Sequence, residues 1–195
     1  EAHVDTRSYA TYGQLSWDWT DETVFTAGLR YSYDKKKGSD NTFVQYVGNP
    51  DDPTVYRKQD DSWDKWTWRL GVDHFITQEQ FLYAFIATGY RSGGYNFQKP
   101  TASPAVDVVK PEEIISYEVG YKGSMWENRM NLAVSAYYYD YTDLQVIKQD
   151  VENGIALNTF ENADEARAMG LEMEVRALPI PEVMLSATYS YNNTE

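Results

Sequence analysis

Hydrophobic and polar residues alternate along most of this chain with a period of two. Across residues 22–34, Thr23, Phe25, Ala27, Leu29, Tyr31 and Tyr33 fall on one parity, and Val24, Thr26, Gly28, Arg30, Ser32 and Asp34 on the other. Successive side chains of a strand point to opposite sides, so this stretch reads as a strand with one apolar and one mostly wet face. Just before it, Leu15, Trp17 and Trp19 oppose Gln14, Ser16 and Asp18. Residues 63–77 set Trp66, Trp68, Leu70, Val72 and Ile76 against Lys65, Thr67, Arg69 and Asp73. The same pattern returns at 113–123, 129–141, 167–178 and 182–191. One segment, 81–91, is apolar on both parities, and its wet side is left unassigned.

The pattern predicts about eight strands of roughly 10–13 residues. Strands of globular proteins run to about five or six residues, whereas a tilted strand crossing a membrane needs about 9–11. The joints alternate in length. Short ones are expected at Thr20–Glu22, Thr77–Gln80, Ser124–Asn128 and Pro179–Pro181, and long polar ones at 35–62, 92–112 and 142–166. Outer-membrane barrels have short periplasmic turns and long extracellular loops. The expected class is therefore all-β: a section of an antiparallel transmembrane β-barrel, with 8–20 running toward the periplasm and 22–34 returning. Tyr31, Tyr33, Trp63, Trp66, Tyr90 and Tyr138 then fall near outer strand ends, and Trp17, Trp19, Phe81 and Tyr83 near inner ends. Those are the levels at which barrels carry aromatic girdles.

Composition agrees. Aromatics are 15% of residues, with 17 Tyr and 6 Trp, yet mean hydropathy is −0.62. No run approaches the roughly 18 apolar residues of a membrane helix, so any crossing is by strands. The net charge of −13 argues against a nucleic-acid partner, which needs a basic face. There is no cysteine, hence no disulfide or thiolate metal site. The opening Glu1–Asp5 has neither the basic start nor the apolar core of a secretion signal.

Several motifs carry a family resemblance. Leu82-Tyr83-Ala84 through Gly89-Tyr90-Arg91-Ser92-Gly93-Gly94-Tyr95-Asn96, and Val109-Lys110-Pro111-Glu112-Glu113 leading into Ser116–Lys122, resemble signatures of TonB-dependent outer-membrane receptors. So do Asn131-Leu132-Ala133 through Tyr139–Val146, Gly170–Glu174 and Leu185–Tyr191, and the five occur in the family's usual order. The resemblance implies a barrel of about 22 strands closed by a plug. It also implies residence in the outer membrane of a Gram-negative bacterium, contact with its lipid, and TonB-energised uptake of a scarce nutrient such as a ferric siderophore. Against the full pattern, residues 1–195 show no plug, no TonB-box-like segment and no final strand ending in an aromatic residue. They read as an internal section of the barrel, with plug and TonB engaged through segments elsewhere. The alternative is a complete small barrel of eight strands with a structural or adhesive role.

Candidate chemistry is sparse. No enzyme is expected, because a nucleophile needs an assisting base and nothing in sequence pairs with His74 or with His3, which lies in an irregular-looking start. Glu172 and Glu174 share a strand face but read as solvated or charge-paired residues. The acidic pairs Asp51-Asp52 and Asp60-Asp61 and the segment Asp150–Gly154 match no calcium-loop spacing, so neither metal nor cofactor is expected. Parity places Arg30, Arg69, Glu118, Lys122, Arg129, Asn131, Glu172, Glu174 and Arg176 on the lumen wall. Ligand contact is expected from the loops, which in such receptors meet the substrate: Arg91, Tyr95, Phe97 and Lys99 in one, Phe43, Tyr46, Tyr56 and Arg57 in another. Aromatics and Arg are the types that anchor ligands.

Overall fold

A computed structural model of the chain describes residues 2–43, 54–97, 106–152 and 155–195. Its strands are β1 (Ala2–Asp18), β2 (Thr23–Phe43), β3 (Thr54–Thr77), β4 (Gln80–Arg91), β5 (Gly94–Asn96), β6 (Asp107–Val109), β7 (Glu112–Met125), β8 (Met130–Glu152), β9 (Ile155–Ile180) and β10 (Val183–Thr194). Eight of them form one sheet in the order β1-β2-β3-β4-β7-β8-β9-β10, every pair antiparallel, while β5 and β6 make a separate small ribbon. No helix occurs among the described residues. β1 and β10 lie at opposite edges and do not pair, so the sheet is part of a barrel wall and the small closed barrel is not formed.

The register converts alternation into two continuous faces. Leu15↔Ala27↔Leu70↔Ile86 and Trp17↔Phe25↔Val72↔Ala84 are rungs of the apolar face. Tyr12↔Arg30↔Thr67 is a rung of the polar one. A slip of one residue would exchange the faces of a strand, so this pairing is strongly specified. It also assigns the ambiguous segment. Asp73↔Tyr83↔Gly120 and Gly71↔Phe85↔Glu118 put Phe81, Tyr83 and Phe85 on the polar side.

That corrects three of the girdle aromatics. Phe81 and Tyr83 belong to the interior parity. Trp63, opposite Asp34, does too, and its ring packs near Tyr95 with centroids 6.1 Å apart. Tyr90 pairs with Glu113, but its hydroxyl is enclosed. Trp66 and Tyr31 lie on the apolar face, their rings tilted by 44° with centroids 4.9 Å apart.

The strands outrun the expected 10–13 residues. β2 and β3 have 21 and 24, β8 and β9 have 23 and 26, so most of 35–62 and 142–166 is paired hairpin and not loop. These extensions have no continuous apolar side, and cross-strand pairs such as Lys37–Asp60 and Lys148–Glu161 support them. β1 likewise begins at Ala2, and His3 lies opposite Ser39 in the ladder, not in an irregular start. The tight turns lie close to their expected positions. Trp126, Glu127 and Asn128 turn with φ of 62°, 56° and 62°, a conformation cheap for Asn and costly for the other two.

β3 and β4 separate above the pair Arg69↔Ala87. There the Thr88 hydroxyl replaces the ladder, accepting from the Trp68 amide at 2.9 Å. Both strands continue with their other neighbours, β3 with β2 and β4 with β7.

Candidate functional site

Side chains of the polar face form a connected surface. The Tyr83 hydroxyl donates to Glu118 at 2.7 Å, and the Lys122 ammonium sits 5.2 Å from the Tyr83 ring. The Arg69 guanidinium lies 3.8 Å from the Phe85 ring, and Arg30 Nε donates to Ser32 Oγ at 3.1 Å. Glu172, Glu174 and Arg176 share this face through their rungs with Ser135, Ala133 and Asn131. Arg129 stands in the turn just before β8. Where β3 and β4 part, a cleft of about 740 Å³ opens, lined by Arg30, Ser32, Asp34, Thr67, Tyr90 and Ser92 among others. The Tyr90 hydroxyl is enclosed beside this cleft.

Above the wall, the segment between β4 and β7 is stapled to both long hairpins. On one side, Arg57 Nη2 donates to Asp40 Oδ2 and to the Phe97 carbonyl, each at 2.5 Å. Arg57 is 1% exposed, and such a charge is tolerable only when paired and hydrogen-bonded. The Tyr95 hydroxyl donates to the Lys36 carbonyl at 2.7 Å and accepts from the Asp61 amide at 2.9 Å. Burial and the nearby Asp61 carboxylate push that phenol up to about 12. Lys36 Nζ donates to the Gly93 carbonyl at 2.6 Å, and burial pulls its own pKa down. Gly38 is required beneath, because a Cβ there would lie 2.5 Å from the Phe97 ring.

On the other side, Asn96 acts as a substitute strand residue. Its Nδ2 donates to the Phe160 carbonyl at 2.5 Å and its Oδ1 accepts from the Phe160 amide at 2.8 Å. Asn162 repeats the device on Lys110, accepting from its amide at 2.8 Å and donating to its carbonyl at 3.0 Å. Gln145 Nε2 reaches the carbonyls of Ser92 and Lys110 at 3.1 and 2.9 Å.

Comparison with known proteins identifies the architecture. The family model described as TonB dependent receptor-like, beta-barrel matches residues 1–195. The chain belongs to the TonB-dependent receptor β-barrel family. It is thus part of an outer-membrane receptor of a Gram-negative bacterium, with the short turns periplasmic and the long hairpins extracellular. The pesticin receptor of Yersinia enterocolitica is 28% identical over 174 residues, which are 89% of this chain and 24% of that protein. The hemophilin receptor of Acinetobacter baumannii is 33% identical over 118 residues, 57% of this chain and 10% of that protein. Among solved structures, the ferric yersiniabactin uptake receptor FyuA from Yersinia pestis superposes with a TM-score of 0.81 at 24% identity, covering 100% of this chain and 28% of that one. The copper transporter OprC superposes at 0.79 with 18% identity, covering 98% and 30%. The chain thus spans about a quarter of the length of the first relatives. These relatives are receptors and transporters, not enzymes.

Within the receptor, the expected ligand residues divide. Arg57, Tyr95 and Phe97 come together in the stapled cluster, Phe97 at 6% exposure. Tyr56 and Arg91 are exposed at the same end, Arg91 3.9 Å from Glu112. Phe43 ends β2, and nothing is described of its side chain; Tyr46 and Lys99, like Asp51 and Asp52, lie outside the described residues. Asp60 is held by Lys35 and Lys37 at 3.3 and 3.2 Å; Asp61 accepts from Gln59 at 2.8 Å. His74 does have a partner, since its Nδ1 lies 3.0 Å from the Thr23 hydroxyl. The pair sits at the periplasmic end, on the apolar parity, and no described hydrogen bond or ion pair ties the ring to a carboxylate, so no catalytic relay results. Sequence reasoning missed Asp40, Asn96, Gln145 and Asn162. Only their polarity within loop-like stretches marked them, and that does not distinguish a staple from a solvated side chain.

Proposed function

We propose that this receptor imports an iron chelate of the siderophore class with energy from TonB, and that the chain supplies one section of its barrel wall with part of its recognition surface. The carrying observation is that Arg91 and Tyr56 are exposed at the end of the wall where residues 92–97 and 106–111 are stapled to both long hairpins. The name of the similar ferric yersiniabactin uptake receptor supports an iron ligand. In this reading Arg30, Arg69, Glu118, Lys122, Arg129, Glu172, Glu174 and Arg176 face a hydrated lumen and the plug carried elsewhere in the receptor. Arg57, Tyr95 and Phe97 hold the mouth in shape, while Arg91 and Tyr56, with Tyr46, approach the ligand. No step of covalent chemistry is involved. The wall shapes a conduit, and fold alone does not choose the cargo.

The test is uptake of radiolabelled iron by a strain lacking the receptor and complemented with the full-length gene. Complementation should restore uptake of one ferric siderophore under iron limitation. Arg91→Ala and Tyr56→Ala should weaken its binding several-fold without changing receptor abundance. Restored growth on a copper or carbohydrate source, with no iron chelate taken up, would overturn the reading.

A further inference from the structure

The sheet leaves one strand edge without a partner. Above the rung Arg69↔Ala87, β3 continues up to Thr54 paired with β2 alone. Thr88 Oγ1 accepts from the Trp68 amide at 2.9 Å and donates to the Trp68 carbonyl at 3.4 Å, so the backbone groups of Trp68 point across the seam toward β4. Alternate residues of a strand point their backbone groups the same way. Those of Lys58, Asp60, Ser62, Asp64 and Trp66 therefore face the seam, and no described hydrogen bond reaches their amides or carbonyls. The Phe75 amide, which donates to the Glu22 carbonyl at 2.7 Å on the opposite side, agrees with that parity.

Elsewhere at this end of the wall, side chains answer free backbone groups. Asn96 serves Phe160, and Asn162 serves Lys110, as a neighbouring strand would. Between 58 and 66 the seam is crossed only by side chains, as where Lys65 pairs with Glu113. The edge runs about 26 Å at roughly 3.3 Å per residue, and its even-numbered side chains are exposed. Hydrocarbon does not tolerate such an edge, which places it above the membrane core. In water it is a template for another extended chain. At its foot lies the cleft of about 740 Å³, within the size range of small-ligand sites. The cleft's two charged residues balance, and both are engaged: Arg30 Nε donates to Ser32 Oγ at 3.1 Å, and Asp34 accepts from Ser8 Oγ at 2.5 Å. Such a lining suits uncharged polar groups such as amides better than a multiply charged anion.

We propose that the free edge of β3 from Lys58 to Trp66, with the cleft at its foot, binds the peptide backbone of the imported chelate as an added strand. The inference rests on the reading of the receptor as an importer of iron chelates, and it narrows the cargo to chelates built on a short extended peptide. Seam-facing amides donate to the cargo's carbonyls, and seam-facing carbonyls accept from its amides. The Thr88 hydroxyl occupies Trp68 and ends the added ladder there. A second copy of the receptor does not fit the edge. Two copies standing the same way up in one membrane would bring their β3 strands together running in the same direction, which excludes an antiparallel pair.

The experiment measures binding of radiolabelled iron chelates to the full-length receptor. One chelate is a linear tripeptide of hydroxamate-bearing ornithines. The second is the same tripeptide with its backbone amides N-methylated, which keeps the iron centre and charge but removes the donors. The third is a tricatechol carried on a lactone ring, without a peptide chain. The tripeptide chelate should bind, and N-methylation should weaken it about tenfold or more. Hydrogen exchange over 58–66 should be fast in the free receptor and slow with the tripeptide chelate bound. Ser62→Pro removes one seam-facing amide without touching the ladder to β2, and should also weaken binding about tenfold while exchange in β2 stays as in the parent. Failure of the tripeptide chelate to bind, equal affinity for its N-methylated form, unchanged exchange over 58–66, or parent affinity in Ser62→Pro would overturn the proposal. Binding of the tricatechol alone removes the peptide assignment and leaves the iron-chelate reading standing, whereas a receptor that takes up no iron chelate in the complemented strain removes both.

Discussion

The membrane-spanning wall and the cluster at its extracellular end handle burial in opposite ways. In the wall between Phe25 and Tyr33, large apolar side chains such as Leu29 and Leu70 remain 50% and 52% exposed. They have no protein core to enter, because lipid is their solvent, and closure of every backbone bond between strands provides the stability. In the cluster, Asp40, Arg57, Asn96, Phe97, Val109 and Thr159 are all 8% exposed or less. That is the packing of a small globular core, in which the side chains of Asp40, Arg57, Asn96 and Thr159 each take part in a hydrogen bond. A barrel section therefore carries its most protein-like interior outside the membrane, where a recognition surface has to keep its shape against water.

Substitutions at matched positions can break or sharpen this contrast. The largest effect is expected from Arg57→Ala, which removes the buried guanidinium that pairs with Asp40 and holds the Phe97 carbonyl, at about 3–5 kcal/mol. Hydrogen exchange at 94–97 and 107–109 should rise while wall amides of β2 and β3 stay protected; unchanged protection would show that the ion pair does not organise the cluster. Next comes Leu70→Arg, expected to cost about 2–4 kcal/mol because a cation enters the lipid face near the middle of the band. On the opposite parity, Thr67→Arg should unfold in urea like the parent receptor, and an equal cost at both sites would erase the two-solvent wall.

A smaller loss, about 1–3 kcal/mol, is expected from Asn96→Asp, which keeps the acceptor for the Phe160 amide but loses the donor to its carbonyl. Faster exchange near Phe160, with Phe97 still buried, would mark the β9 staple as separate from the Arg57 latch. The smallest effect is a pH response. Tyr95 has a folded pKa of about 12 against an ordinary 10.0, so its contribution is complete below about 10 and lost as pH rises toward 12. Tyr95 absorbance and exchange at 94–97 should change together in that window, and Tyr95→Phe should remove the window.

How far these features were legible depends on what selected them. Residues 22–34 could be assigned to faces because Arg30 and Leu29 prefer different solvents, and the ladder has only two sides. Residues 81–91 could not, since Phe81, Tyr83 and Phe85 are as apolar as Leu82 and Ala84; only the pairing with Asp73 and Glu118 separated them. The hairpin arms 35–43 and 54–62 escaped notice as strands because one face is charged and the other packs polar residues such as Asp40 and Arg57 against 95–97, which removes the apolar alternation while leaving the backbone pairing. Of the expected contact residues, Arg57 and Phe97 were noticed for their chemistry, and the fold turned that chemistry inward.

By itself the sequence determined the class of structure, the parity of most wall strands and the family, because alternation and motif order are local properties that a solvent boundary imposes on each strand separately. Only the tertiary structure decided where residues 92–97 and 106–111 sit, which side of β4 is wet, and that β3 and β4 part above Thr88. Those outcomes rest on contacts such as Asn96 with Phe160 and Arg57 with Phe97, between residues dozens of positions apart, whose geometry exists only once the strands are in register.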